Sequence, residues 1–387
     1  MVAGRVRPLV LLLAALLMAC SADDDADVDP ANAATEPSDR PASTVTATTP
    51  EPVAFGFPAQ PDGVPFPTVE WPEAEWPAAV DRAAVDAATE TALAGGGDER
   101  VRAVVIVHGG ELVYERYSPN PEDGPDVVMP SWSVAKSIAS ALIGILVRDG
   151  RLDIDEPAPV PEWRAHPEDP HAGITTRHLL EMSSGLAWFE GQDSGASELT
   201  MMSRDDTAHY ASTLPMASAP GTEFLYNGGG TQLLSRMIAA EVGSGDDLRA
   251  FMDAELFDKL GMDPVETKFD GVGTWVASHS ADTTARDLAR FGLLYARGGL
   301  WDGERILDEE WVHRTRTPSQ ANLGYGLHWW LDPLRPEILY ASGILGQTVT
   351  VDPAHDLVIV QLSTVGGPLP RRQTETILDA FAASGAR

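Results

Sequence analysis

Apolar positions along the chain recur with different periods, and each period predicts an element. Residues 102–117, RAVVIVHGGELVYERY, hold two β-branched runs separated by Gly109-Gly110, which predicts a hairpin. Upstream, residues 72–93 are Ala-rich with scattered acids and end at Gly95-Gly96-Gly97, so they read as a helix. The segment 132–150, WSVAKSIASALIGILVRDG, has near-helical apolar spacing and a glycine stop, which predicts a buried helix. Near the other end, residues 347–351 and 357–362 are strand-like, with a turn over 353–356 and a closing helix over 374–383. Strands at both chain ends with helical material between them predict an α/β fold. One antiparallel sheet is built from the two ends and flanked by helices, with a helical insertion over about 151–290.

The first 68 residues lack these patterns. Arg5 and Arg7 precede an unbroken apolar run over residues 9–18, too short to span a bilayer and typical of a secretory signal. The run ends in Leu17-Met18-Ala19-Cys20, which resembles a bacterial lipobox. Cys20 is the one cysteine of the chain, so a lipidated thiol accounts for it better than a disulfide or a metal site. The expectation is a lipoprotein signal over 1–20 and a disordered acidic Pro/Thr/Ala-rich linker over 21–68. A folded domain over 69–387 would follow, held on the outer face of the bacterial cell membrane. Composition agrees with a globular domain: 43% of the 387 residues are hydrophobic, and the formal net charge is −31. That charge opposes nucleic-acid binding, and contact with a membrane is expected only through the lipid.

Candidate chemistry begins at Ser133-Val134-Ala135-Lys136, an S-x-x-K pattern in the first turn of the buried helix. Three-residue spacing puts hydroxyl and amine on one face. The helix N-terminus favours a seryl alkoxide and disfavours an ammonium, so a desolvated lysine amine there can accept the seryl proton. A serine at a helix start is also the commonest N-cap, and the pattern alone leaves both readings open. Tyr226 follows, in PGTEFLYNGGGTQLLSRMI (220–238), within a short loop before a helix expected to start near Thr231. A tyrosine beside a lysine can relay the proton to a leaving group; packing at the start of the helix is the alternative. Residues 340–343, Tyr-Ala-Ser-Gly, lead into the strand at 347. A small-residue strand edge there lets a substrate lie alongside, and one of its amides, with that of Ser133, can form an oxyanion hole.

In this order, S-x-x-K, a Tyr motif and a Gly-containing strand, the chain resembles the serine β-lactamase and penicillin-binding-protein superfamily. It is most similar to the class C β-lactamase-like branch that holds esterases, D-aminopeptidases and 6-aminohexanoate-dimer hydrolases. ITTRHLLEMSSGLAWFE (174–190), SADTTARDLARFGLLYARGG (280–299) and YASGILGQTVTVDP (340–353) carry the likeness further, over roughly 75–385. The resemblance implies a β-lactamase/transpeptidase-like fold, Ser133 as acylated nucleophile, Lys136 as its activator and Tyr226 as general acid/base. The backbone amides of Ser133 and Ile344 would be the oxyanion donors. Two positions depart from the pattern. Gly228 stands where the branch has the Asn of Tyr-x-Asn, leaving Asn227 next to it as the candidate replacement. Ala341 stands where the superfamily has Lys or His. Both departures weaken recognition of a β-lactam and leave acylation chemistry in place.

The expected activity is therefore serine hydrolysis of esters or linear amides, with small-molecule or peptide substrates and weak or no β-lactamase activity. Ser342, Gly343, Asn227 and Trp188 are the candidate substrate contacts, and the Trp329-Trp330 pair could line the same cleft. A D-amino-acid-specific cell-wall peptidase and a non-catalytic binding protein of the same fold are the rival expectations. His108-Gly109-Gly110 is read as a hairpin turn, because no G-x-S-x-G follows it. His178 is read as a packed or exposed helix residue. No histidine spacing suggests a metal, and no cofactor is expected.

Overall fold

The computed structural model describes residues 56–94, 100–189 and 196–385. The signal, Cys20 and most of the expected linker lie outside the described residues. Helix α1 (Arg82–Leu93) precedes strands β1 (Val101–His108) and β2 (Glu111–Tyr117) and helix α2 (Val134–Arg148). Helices α3 (Pro161–Arg164), α4 (Thr176–Leu180), α5 (Ser197–Met202), α6 (Thr207–Ser212), α7 (Gly228–Val242), α8 (Asp246–Met252) and α9 (Asp258–Leu260) come next. Helix α10 (Ala285–Ala296), the ribbon β3 (Leu300–Trp301) and β4 (Glu304–Arg305), and α11 (Glu309–Thr315) lead back to the sheet. Strands β5 (Trp330–Leu331), β6 (Leu339–Gly343), β7 (Gln347–Asp352) and β8 (Leu357–Ser363) and helix α12 (Pro368–Ser384) complete the chain.

The six-stranded sheet runs β2-β1-β8-β7-β6-β5, with every neighbour antiparallel. Its two ends of the chain meet at β1 and β8, as the sequence predicts. Both strands are apolar on both faces, which is what a sheet covered on two sides needs. Val104, Ile106, Leu357 and Ile359 point toward Val85 of α1 and Ile377 and Phe381 of α12. Ala103, Val105, Val107, Val358 and Val360 point the other way, into the core shared with α2 and α10. On that side α10 comes so close that a Cβ on Gly292 would lie 2.6 Å from Val358 and 2.9 Å from Val349. Helix α10 thus belongs with the sheet, so the helical insertion ends before it and not at 290.

Two further boundaries differ from expectation. Helix α1 begins ten residues later than residue 72, because Pro77 starts a turn closed by Val80 N–H and Asp81 then caps the helix, accepting from Ala84 N at 3.1 Å. The expected linker also ends earlier than residue 68. Phe57 packs on His313 and Phe66 on Trp301, while Pro67 O accepts from Arg290 and Thr68 from Trp301. Aromatic residues in an otherwise polar stretch give those residues something to bury.

Within the insertion, the buried helix α7 packs against α2, α4 and α6. Glu162 of α3 ties this layer together. It accepts two hydrogen bonds from Arg236 of α7, at 3.0 and 2.9 Å, and faces His209 of α6 at 2.8 Å. Burial would raise the Glu162 carboxyl; Arg236 and His209 outweigh it and bring it down to about 2. A carboxyl depressed in the folded state stabilises the fold above its unfolded value and loses that contribution as pH falls toward about 2. Because the pair is partly exposed, Glu162→Gln should cost about 1–2 kcal/mol at pH 7. In urea unfolding at pH 7 and pH 3, the gap from the parent should narrow at the lower pH; an equal gap would contradict this.

Candidate active site

The chain reaches α2 through a constrained corner. Met129 pairs with Thr283 by backbone hydrogen bonds, Ser131 N donates to Asp282 at 3.1 Å, and Trp132 sits at φ 48°, an unusual conformation for a bulky residue. Ser133 then occupies the N-cap position, yet its hydroxyl makes no capping hydrogen bond. Its Oγ instead accepts from Lys136 Nζ at 3.0 Å. Of the two readings left open by S-x-x-K, the geometry excludes the side-chain cap. Lys136 is 5% exposed, and its Nζ also donates to Ser278 O at 2.6 Å. A buried amine needs such partners, because an unpaired one costs several kcal/mol.

Tyr226 lies beside this pair, just before α7, with its ring centroid 5.2 Å from Lys136 Nζ. Trp330 stacks on Tyr226 at 5.6 Å, and Tyr340 stacks on Trp330 at 6.4 Å. Tyr325 meets Tyr226 edge-on; burial, together with Tyr226, pushes the Tyr325 phenol well above its usual 10, so it stays neutral. Ser133, Lys136 and Tyr226 are therefore brought together as expected. Of the tryptophan pair, Trp330 joins the site, whereas Trp329 is fully buried against Phe291 and Tyr295.

The strand side also converges on Ser133. A Cβ on Gly343, the last residue of β6, would lie 2.6 Å from Ser131 O and 3.1 Å from Ser133 N. Glycine is what lets the strand end reach the start of α2, and Ile344 follows at once. Ser342 is half-buried and shares a face with Tyr340, its neighbour two residues back.

Two candidate contacts are placed elsewhere. Asn227 is the N-cap of α7: its Oδ1 accepts from Gly230 N at 2.7 Å and its Nδ2 donates to Leu225 O at 2.8 Å. Only 2% exposed, it cannot replace the amide missing at Gly228. Trp188 is 8% exposed and covers Gly229, so it is a core residue and not a cleft wall. His108 ends the hairpin strand and packs on Phe381, on the far face of the sheet from α2. His178 closes a capping box with Thr175. Among the described residues, no group of three or more His, Cys, Asp or Glu could hold a metal ion.

Four functional neighbours escaped the sequence reading. Ser278 supplies the carbonyl for Lys136, and its hydroxyl donates to Glu198 at 2.9 Å. His279 Nδ1 stands 3.5 Å from Glu198. His328 is buried at φ 60°, bonded through Nε2 to Thr231 and through Nδ1 to Leu180 O, and its main-chain carbonyl accepts from Ser137. Burial, with Lys136 nearby, pushes the His328 imidazole down to about 3, so it stays neutral while joining α2, α4 and α7. No motif marks any of the four; their roles arise from contacts across the fold. The close approach at residue 343 yields a test. Gly343→Ala should lower the rate of fluorophosphonate labelling by about a hundredfold through displacement of the Ser133 corner, while circular dichroism shows an intact fold. Labelling at the parent rate would contradict that geometry.

Residues 87–384 match the family model described as Beta-lactamase. A 6-aminohexanoate-dimer hydrolase from Paenarthrobacter ureafaciens is 27% identical, over 73% of this chain and 79% of its own length. Among solved structures, a penicillin-binding protein homologue from Caulobacter crescentus superposes with a TM-score of 0.63 at 17% identity, covering 81% of this chain and 99% of that one. EstA from Arthrobacter nitroguajacolicus Rue61a superposes with a TM-score of 0.60 at 18% identity, covering 77% and 96%. The expected β-lactamase/penicillin-binding-protein-like fold is the fold observed, and the chain belongs to the β-lactamase family.

Proposed function

We propose that this protein is a serine hydrolase that works through an acyl-enzyme on Ser133, with esters or linear amides as substrates. The observation that carries the reading is the 3.0 Å contact between Lys136 Nζ and a Ser133 hydroxyl released from helix capping. In this reading Oγ attacks the substrate carbonyl and its proton passes to the Lys136–Tyr226 pair. The amides of Ser133 and Ile344 receive the oxyanion. The leaving group departs with the proton, and water then frees the acyl group from Ser133 by the reverse sequence.

The residues around Ser133 support this substrate class. A stacked wall of Tyr226, Trp330 and Tyr340 offers apolar surface. Gly228 brings no side-chain amide to orient the amide of a β-lactam substrate, and Ala341 brings no cation to grip its carboxylate. The likeness to a relative named 6-aminohexanoate-dimer hydrolase supports a linear amide as a substrate. We further propose, on the signal-like residues 1–20 and Cys20, that the enzyme is exported and lipid-anchored.

The test compares p-nitrophenyl butyrate with nitrocefin, for the parent and Ser133→Ala. The ester should turn over, at least about 10³-fold faster in the parent than in the variant, and nitrocefin should be hydrolysed more slowly than the ester. Equal ester turnover in both proteins would overturn the serine mechanism. Nitrocefin hydrolysis as fast as the ester would overturn the substrate reading.

A further inference from the structure

The space that a side chain at residue 228 would occupy is filled from another element. A Cβ on Gly228 would run into Oε2 of Glu198, with the carboxyl carbon at 2.9 Å and Oε1 at 3.0 Å. Glu198 belongs to the first turn of α5, and its side chain is about one-third exposed. Oε1 accepts from the Ser278 hydroxyl at 2.9 Å and stands 3.5 Å from His279 Nδ1. Ser278 is the residue whose carbonyl receives Lys136 Nζ. One carboxylate thus touches both the vacancy two residues past Tyr226 and the loop that holds the lysine.

We propose that Glu198 is a positioning residue for proton transfer at Ser133: its carboxylate fills the place left by Gly228, fixes the Ser278–His279 loop, and sets an acidic group on the residue whose carbonyl receives Lys136. This rests on Ser133 and Lys136 being the reacting pair. Burial would raise the Glu198 carboxyl, but His279, the charge of Lys136 and the Ser278 hydroxyl together hold it below the usual carboxylate range. The groups around Lys136 are Tyr226 from the segment before α7, His328 from the segment before β5, and Glu198 from α5, with His279 behind Glu198. Glu198 is the acid of this set. Any larger residue at position 228 would have to push this carboxylate aside, so the glycine and the acid fit one another.

A negative charge favours a proton on its neighbours, whichever of Lys136 or Tyr226 accepts it from Ser133. Glu198→Gln keeps the shape and an acceptor for Ser278 while removing the charge. For p-nitrophenyl butyrate between pH 5 and pH 10, kcat should fall about tenfold, with KM within about threefold. The acid limb of kcat/KM should move down by about half a unit or more. Glu198→Asp, which keeps the charge on a shorter arm, should lose rate but keep the limb at the parent position. A parent-like kcat and limb in Glu198→Gln would overturn the proposal, as would an unmoved limb in both variants, since that marks a packing role alone. Fluorophosphonate labelling separates the two levels. If Ser133→Ala labels as fast as the parent, the reading of Ser133 fails and takes this one with it. If labelling is lost in Ser133→Ala while Glu198→Gln behaves as the parent, only the role of Glu198 fails.

Discussion

The amine of Lys136 lies inside the protein between Ser133 Oγ and Ser278 O, and much of the architecture serves to hold it there. One acceptor comes from the same helical turn and costs the fold nothing beyond starting a helix at Ser133. The other lies 142 residues away and has to be carried to the site. Helix α7 does most of that carrying. Gln232 accepts from Ser278 N, Ser235 donates to Trp275 O, and Trp275 in turn donates to Ser280 O. Immediately before Gln232, Thr231 holds His328, whose carbonyl accepts from Ser137 of α2. A helix whose buried face is polar would be costly without partners, and here each partner belongs to the frame around the lysine.

The sheet has a different task. Because β1 and β8 are apolar on both faces, the sheet is covered by α1 and α12 on one side and by α2 and α10 on the other. That fixes α2 against β6 and allows Gly343 to abut Ser133 N. Three parts of the chain thereby meet at one point: the start of α2, the end of β6 and the segment before α7. Each brings one kind of chemistry, respectively the nucleophile with its lysine, a backbone edge, and a phenol.

The strands, the hairpin and the S-x-x-K turn were legible in the sequence because period-two and near-helical apolar patterns are local signals. So was the gathering of Ser133, Lys136 and Tyr226, through the resemblance to a known superfamily. Helix α7 shows why the rest was not. Three consecutive glycines weaken a helix, so its start was expected near Thr231; the structure starts it at Gly228 because Asn227 caps it, accepting from Gly230 N, while Glu198 and Trp188 crowd the places that side chains at 228 and 229 would take. Asn227 carries the same residue type whether it caps a helix or meets a substrate, and only the helix boundary tells them apart. Trp188 and Trp330 are equally apolar in sequence, but one packs over Gly229 and the other over Tyr226. Glu198 has no motif at all, since its partners lie at residues 228, 278 and 279.

The central claim is covalent chemistry at one hydroxyl, and intact-mass spectrometry addresses it most directly. The protein is mixed with an ester whose acyl group is bulky enough to slow deacylation, quenched in acid, weighed, and mapped by peptide. The account predicts a gain of one acyl group, confined to the peptide that contains Ser133. Turnover with no covalent adduct, or an adduct that maps to another residue, would contradict it.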